Sequence, residues 1–168
     1  MPSPISTPSS ELYGADLAAW ADAQARALRE ERIDALDFDH LSAVISELAA
    51  EQGRELQARL EVILTGLLRW AEQVDLRGHS WAATIDIQRH RVERLLRQNP
   101  SLRPAVPVMV AAAYPAAKAR AVLESALFDD SFSGSCPFTE DEVLRGGFFP
   151  DPYGDDVIRG EGWWKHRA

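Results

Sequence analysis

The chain has 168 residues, 46% apolar and 26% charged, with a net charge of −8. That is enough for one domain with its own core and is an ordinary soluble composition. A single cysteine, Cys136, excludes an internal disulfide and any multi-cysteine metal site. No run of 18 apolar residues occurs, and MPSPISTPSSELYG lacks the basic start and apolar centre of a signal peptide. The expectation is therefore a cytoplasmic protein of a bacterial-type cell, with no membrane partner.

The net charge hides a pattern. Residues 1–76 carry 14 acids and 6 bases, residues 77–128 carry 3 and 8, and residues 129–168 carry 9 and 4. An acidic first half and a basic middle attract one another within a fold. That competes with reading the basic part as a nucleic-acid surface.

In chain order, Met1 to Ser10 is rich in Ser and Pro and is expected to be disordered. An amphipathic helix is predicted from Leu12 or Asp16 to Glu31, with Leu17, Trp20, Gln24 and Leu28 inward. Arg32 to Leu36 turns the chain, and Asp37 or Asp39 caps the next helix. That helix, Leu41 to Val74, is the spine of the prediction. Leu41, Val44, Ile45, Leu48, Leu56, Leu60, Ile63, Leu64, Leu67, Trp70 and Val74 recur in steps of three and four, one face of an α-helix. Thirty-four residues make about 50 Å of helix, so a kink is expected near Gly53, where helix formation costs about 1 kcal/mol relative to Ala.

Gly78 suits a helix C-terminus, and Ser80 caps a following helix whose inner face is Trp81, Ile85, Gln88, Val92, Leu95 and Leu96. Asn99-Pro100 stops it. Ser101 opens another helix, with Pro104 and Pro107 early, Pro115 bending it, and an alanine-rich run to about Leu127. Thr139-Glu-Asp-Glu142 is a capping box for a short helix through Arg145. Residues 151–168 read as an irregular tail. Phe148, Phe149, Trp163 and Trp164 are too apolar to be left all in water. The segments thus predict an all-α helical bundle of about four main helices in a single domain, 11–150.

LYGADLAAWADAQARALR, the Asp34, Leu36, Asp37, His40, Leu41 entry to the long helix, Arg59-Leu60 with Leu64, Leu67, Leu68 and Trp70, SWAATIDIQRHRVERLL running into NPSL, and CPFTEDEVL form one set. With these marks the chain resembles the bacterial family catalogued as domain of unknown function twenty-nine, over Leu12 to about Pro150. The resemblance implies an all-α fold and no particular activity. The 151–168 tail goes beyond the family pattern.

Three constellations could carry chemistry. Helical bundles build di-metal sites from inward carboxylates and Glu-x-x-His pairs. Here Glu47, Glu51 and Glu55 share a face, and Asp86, His90 and Glu93 supply one reversed pair. These are fragments of such a site, and no metal or other cofactor is expected. Second, Gln88 and Arg89 lie beneath Trp81, where a polar group must find partners or cost about 1–3 kcal/mol. Asp86, Glu47 or Glu51 are the expected partners, in a buried network that sets helix register. A ligand pocket rimmed by Trp81, Gln88, Arg89 and Trp20 or Trp70 is the sharper alternative. Third, Arg89, Arg91, Arg94 and Arg97, with Arg77 and Arg103, make a basic strip without interleaved aromatics. No phosphate loop, H-E-x-x-H or G-x-S-x-G occurs. Cys136 reads as a packed thiol beside a loop proline rather than a nucleophile. The leading expectation is a non-enzymatic interaction module that binds another protein or itself. A small metal-binding or hydrolytic bundle using Glu47, Glu51, Asp86 and His90 is the rival, and nucleic-acid binding comes third.

Overall fold

The computed structural model describes residues 9–154, 156 and 162. Of the segment Met1 to Ser10 expected to be disordered, residues 1–8 lie outside them, as does the docking of Trp163 and Trp164, whereas Ser9 and Ser10 open the first helix. The fold is all-α, with six α-helices and no strand among the described residues: α1 (Ser9–Ala15), α2 (Leu17–Arg29), α3 (Phe38–Glu72), α4 (His79–Gln98), α5 (Val106–Leu123) and α6 (Glu140–Leu144). The chain divides into two compact units, one ending at Glu51 and one starting at Gln52. α3 is one helix throughout, so Gly53 does not end it.

In the first unit, the single predicted helix is two. Asp16 separates them by capping α2, its carboxylate accepting from the Ala19 amide at 2.9 Å. The phase of α2 also differs from expectation: Trp20, Gln24 and Ala27 are buried, while Leu17 and Leu28 are exposed. Ala27, on the same side of the helix as Trp20, is small enough for the chain to close over it. α2 stops without glycine. Glu31 takes φ +56°, and the amides of Glu31 and Arg32 donate to the carbonyls of Leu28 and Ala27. This is the left-handed helix stop usually given to Gly, and a glutamate there carries about 1 kcal/mol of strain.

The second unit is the packed one. Leu56, Leu60, Ile63, Leu64 and Leu67 of α3 interlock with Ile85, Val92, Leu95 and Leu96 of α4 and with Val110, Ala113, Tyr114, Ala117 and Ala121 of α5. Each fully buried large side chain contributes on the order of 2 kcal/mol relative to exposure. Gly66 permits the closest approach: a Cβ there would lie 2.7 Å from Ile85 Cγ1. α4 starts two residues earlier than predicted, with Gly78 as its extended N-cap. Gly78 is thus a helix entry rather than a stop, and the Ser80 hydroxyl caps nothing. The proline run resolves as a 3₁₀ turn, Pro100–Ala105, before α5 begins at Val106, and Pro115 sits inside α5 without ending it. Among the described residues one stretch, Pro100–Leu123, is long and apolar enough to cross a membrane, and its Val106, Val110, Tyr114 and Ala117 are core residues of this unit. Thr139 and Glu142 form the predicted capping box in full.

The central stripe is buried only in part. From Leu56 to Trp70 its members are inside and Val74 is half-buried in a 3₁₀ turn beyond the helix, but Val44, Ile45 and Leu48 face water, Ile45 at 65% and Leu48 at 64% exposure. The apolar periodicity holds along the helix, whereas burial does not.

Candidate functional site

The predicted polar cluster divides between the two units. Trp81, Asp86, Gln88, Arg89 and His90 lie on α4, whereas Glu47 and Glu51 are exposed on the first-unit part of α3. The inward polar group is Arg89 rather than Gln88: Arg89 is 3% exposed and Gln88 only half-buried. One residue is 100° of helix, enough to exchange the two. Arg89 Nε donates to the Val143 carbonyl at 2.9 Å, Nη2 to the carbonyls of Phe148 (2.8 Å) and Glu142 (3.3 Å), and Nη1 to Asp86 Oδ1 at 3.0 Å. Its guanidinium also lies 5.4 Å from the Phe149 ring centroid. Burial pulls its pKa below the ordinary arginine value, with Asp86 opposing. Gln88 accepts from Arg59 Nη1 at 3.1 Å, and Arg59 pairs with Glu55. His90 Nδ1 is bonded to the Asp86 carbonyl. These contacts form a network that straps α6 and residues 146–149 to α4.

Arg77 does the same at the end of α3 and gave no sequence signal beyond its place in the basic strip. Fully buried, it donates from Nε to the Trp70 carbonyl at 2.8 Å and from Nη1 to Asp151 at 3.3 Å. With Arg77 and Arg89 inside, the basic strip reduces to Arg91, Arg94, Arg97 and Arg103.

Trp81 lines a groove of about 380 Å³ with Thr65, Arg69, Ser80, Arg120 and Glu124. Arg69 lies 4.9 Å from the Trp81 ring centroid and reaches Glu124 at 2.8 Å, and Arg120 holds the same carboxylate. Arg89 and His90 line another hollow, of about 180 Å³. The single pocket envisaged around Trp81, Gln88 and Arg89 is therefore two separate hollows, in which Arg69, Arg89 and Arg120 are engaged by the protein's own groups, while Arg103 also lines the second. Among the described residues, no group of three His, Cys, Asp or Glu side chains is placed to hold a metal ion. Cys136 is half-buried, and burial raises its pKa.

The first unit holds a cluster whose members the sequence showed only separately. Asp37 caps α3 through the His40 amide, pairs with His40 Nδ1 at 2.8 Å and accepts from Trp20 Nε1 at 3.3 Å. Burial alone would raise the Asp37 pKa, but the hydrogen bonds from His40 and Trp20 outweigh it and hold the carboxyl below its ordinary value. Tyr13 stacks on His40 with centroids 4.0 Å apart and meets Trp20 edge-on. Gln24 accepts from the Asp37 amide at 2.8 Å. This plug orders the 30–37 connection and fixes the start of α3. Beyond it, the unit exposes Leu17, Leu28, Ile33, Phe38, Val44, Ile45 and Leu48.

The family described as Domain of unknown function DUF29 matches residues 12–149. No curated protein and no solved structure matches the chain.

Proposed function

Because the chain belongs to the domain of unknown function DUF29 family, whose name assigns no activity, we propose its function from its surface: a non-enzymatic helical module that binds another protein or itself. One observation carries the reading. The apolar face of α3 continues from the core into the first unit, where Val44, Ile45 and Leu48 are exposed. The burial of both polar-network arginines against backbone carbonyls supports it, because those groups hold the fold together. The test is native mass spectrometry of the protein purified gently from its own cell, beside an Ile45→Glu/Leu48→Glu variant. The wild type should carry a stoichiometric companion, itself or another protein, that the variant loses while keeping the wild-type circular dichroism. A wild type found alone, or a variant with the same companion, overturns the reading.

A further inference from the structure

At the rim of the Trp81 groove, two arginines from different helices close on one carboxylate. Arg69 of α3 donates from Nη1 to Glu124 Oε2 at 2.8 Å, and Arg120 of α5 donates from Nε to Oε1 at 2.6 Å. Glu124 is the C-cap of α5, the helix end whose partial negative charge disfavours a carboxylate. The arginines override that: the hydrogen bond from Arg120 holds the Glu124 carboxyl below its ordinary value. The Glu124 side chain is 38% exposed, which leaves it room to swing into water. Around this clamp lies the groove of about 380 Å³, within the range of small-ligand sites, roughly 300–1,000 Å³. Val62, Gly66 and Ile85 give it an apolar lining. The Trp81 indole nitrogen lies 3.7 Å from where a Gly66 Cβ would stand, and among the described residues its N–H has no hydrogen-bond partner.

We propose that this groove binds a small monocarboxylate with an apolar body, and that Glu124 is the internal stand-in for it. The ligand carboxylate replaces that of Glu124 between Arg69 and Arg120, and its body lies against Val62, Ile85 and Trp81. Charge selects the class. Glu61 of α3 also acts on Arg120, so with Glu124 turned out the two arginines and Glu61 leave one positive charge. That is the complement of a monoanion rather than of a phosphate dianion. Displacement of Glu124 is within reach, because ion pairs this exposed are weak and two of them favour the closed form by only about tenfold. The inference stands apart from the interaction reading, since the groove belongs wholly to the second unit.

Isothermal titration calorimetry of the full chain with benzoate, at fixed ionic strength, tests this. Wild type should bind with a Kd on the order of 1 mM. Glu124→Gln keeps the side-chain shape and gives up the charge. It should tighten binding by about tenfold, because no share of the protein is then closed by its own carboxylate. Arg120→Met, at an exposed position, should weaken binding about tenfold or more, and benzamide, the neutral counterpart, should not bind. In proton–nitrogen NMR spectra, the indole signal that Trp81→Phe removes should be the one that benzoate shifts most. Circular dichroism should be that of wild type for each variant. No saturable benzoate binding to Glu124→Gln, an affinity no higher than wild type, or equal binding of benzamide overturns the proposal. So does tighter binding of inorganic phosphate than of benzoate, an unchanged affinity in Arg120→Met, or a shift confined to another indole.

Discussion

Replacing Arg89 with methionine separates a structural strap from a ligand-binding arginine. Methionine keeps the apolar stem but removes four hydrogen bonds: those to the carbonyls of Val143, Phe148 and Glu142, and to Asp86. Val143 is fully buried, so its carbonyl loses its donor where water does not replace it, at about 1–3 kcal/mol. The half-buried Phe148 carbonyl loses less, and Asp86, partly exposed, is left solvated. Loss of the cation–π contact with Phe149 adds about 0.5–1 kcal/mol. Against this, no buried charge has to be desolvated any longer, which returns part of the loss. The net expectation is about 3 kcal/mol. Detachment of α6 and the 146–149 segment sets a ceiling, since lifting that segment into water satisfies its carbonyls. Arg89→Lys should recover less than half, because an ammonium cannot span carbonyls on three residues with a planar fork. Urea unfolding followed by circular dichroism gives the global loss. Limited trypsin digestion, cutting at Arg145, reports detachment. A variant within about 0.5 kcal/mol of wild type and with Arg145 still protected would refute the strap.

Gly66→Ala should destabilise the second unit by about 1–3 kcal/mol, the overpacking cost exceeding the gain in helix propensity, and Ile85→Ala should suppress much of it in a double-mutant cycle of thermal melts. Asp37 has a depressed folded-state pKa, so its contribution is present at neutral pH and is lost as pH falls through and below the ordinary aspartate value of 3.8. Asp37→Asn keeps the cap and removes the charge. Its melting temperature should lie below wild type near neutrality and converge with it by about pH 2; a constant difference across that range would contradict a role for the Asp37 charge. Thr139→Ala should cost about 1 kcal/mol by breaking the capping box, read as earlier proteolysis at Arg145 with little change in global unfolding. An unchanged digestion rate would count against the box.

The helices and their caps were legible because they follow from local chemistry. Thr139 with Glu142, Asp37 before α3 and the apolar steps from Leu56 to Leu67 each state their role within a few residues. Where the reading missed, the cause was not local. Periodicity shows that one side of α3 is apolar, yet burial depends on what else arrives, so Val44, Ile45 and Leu48 read like Leu60 and lie in water. Arg77 and Arg89 resemble any arginines of a basic strip. Their role depends on carbonyls up to 59 and carboxylates up to 79 residues away. Glu31 hid a helix stop because the usual glycine is absent. The Asp37, His40, Trp20 and Tyr13 plug was present in the sequence as separate marks, and only the turn at 30–37 brings them together.

Hydrogen exchange along α3 at two protein concentrations addresses most directly the claim that its exposed face is a partner surface. With a second copy as the partner, raising the protein from about 1 µM to about 200 µM should slow the amides of residues 41–51 by about tenfold or more and leave those of residues 60–70, already in the core, unchanged. Identical exchange over residues 41–51 at the two concentrations would contradict pairing of this face with a second copy.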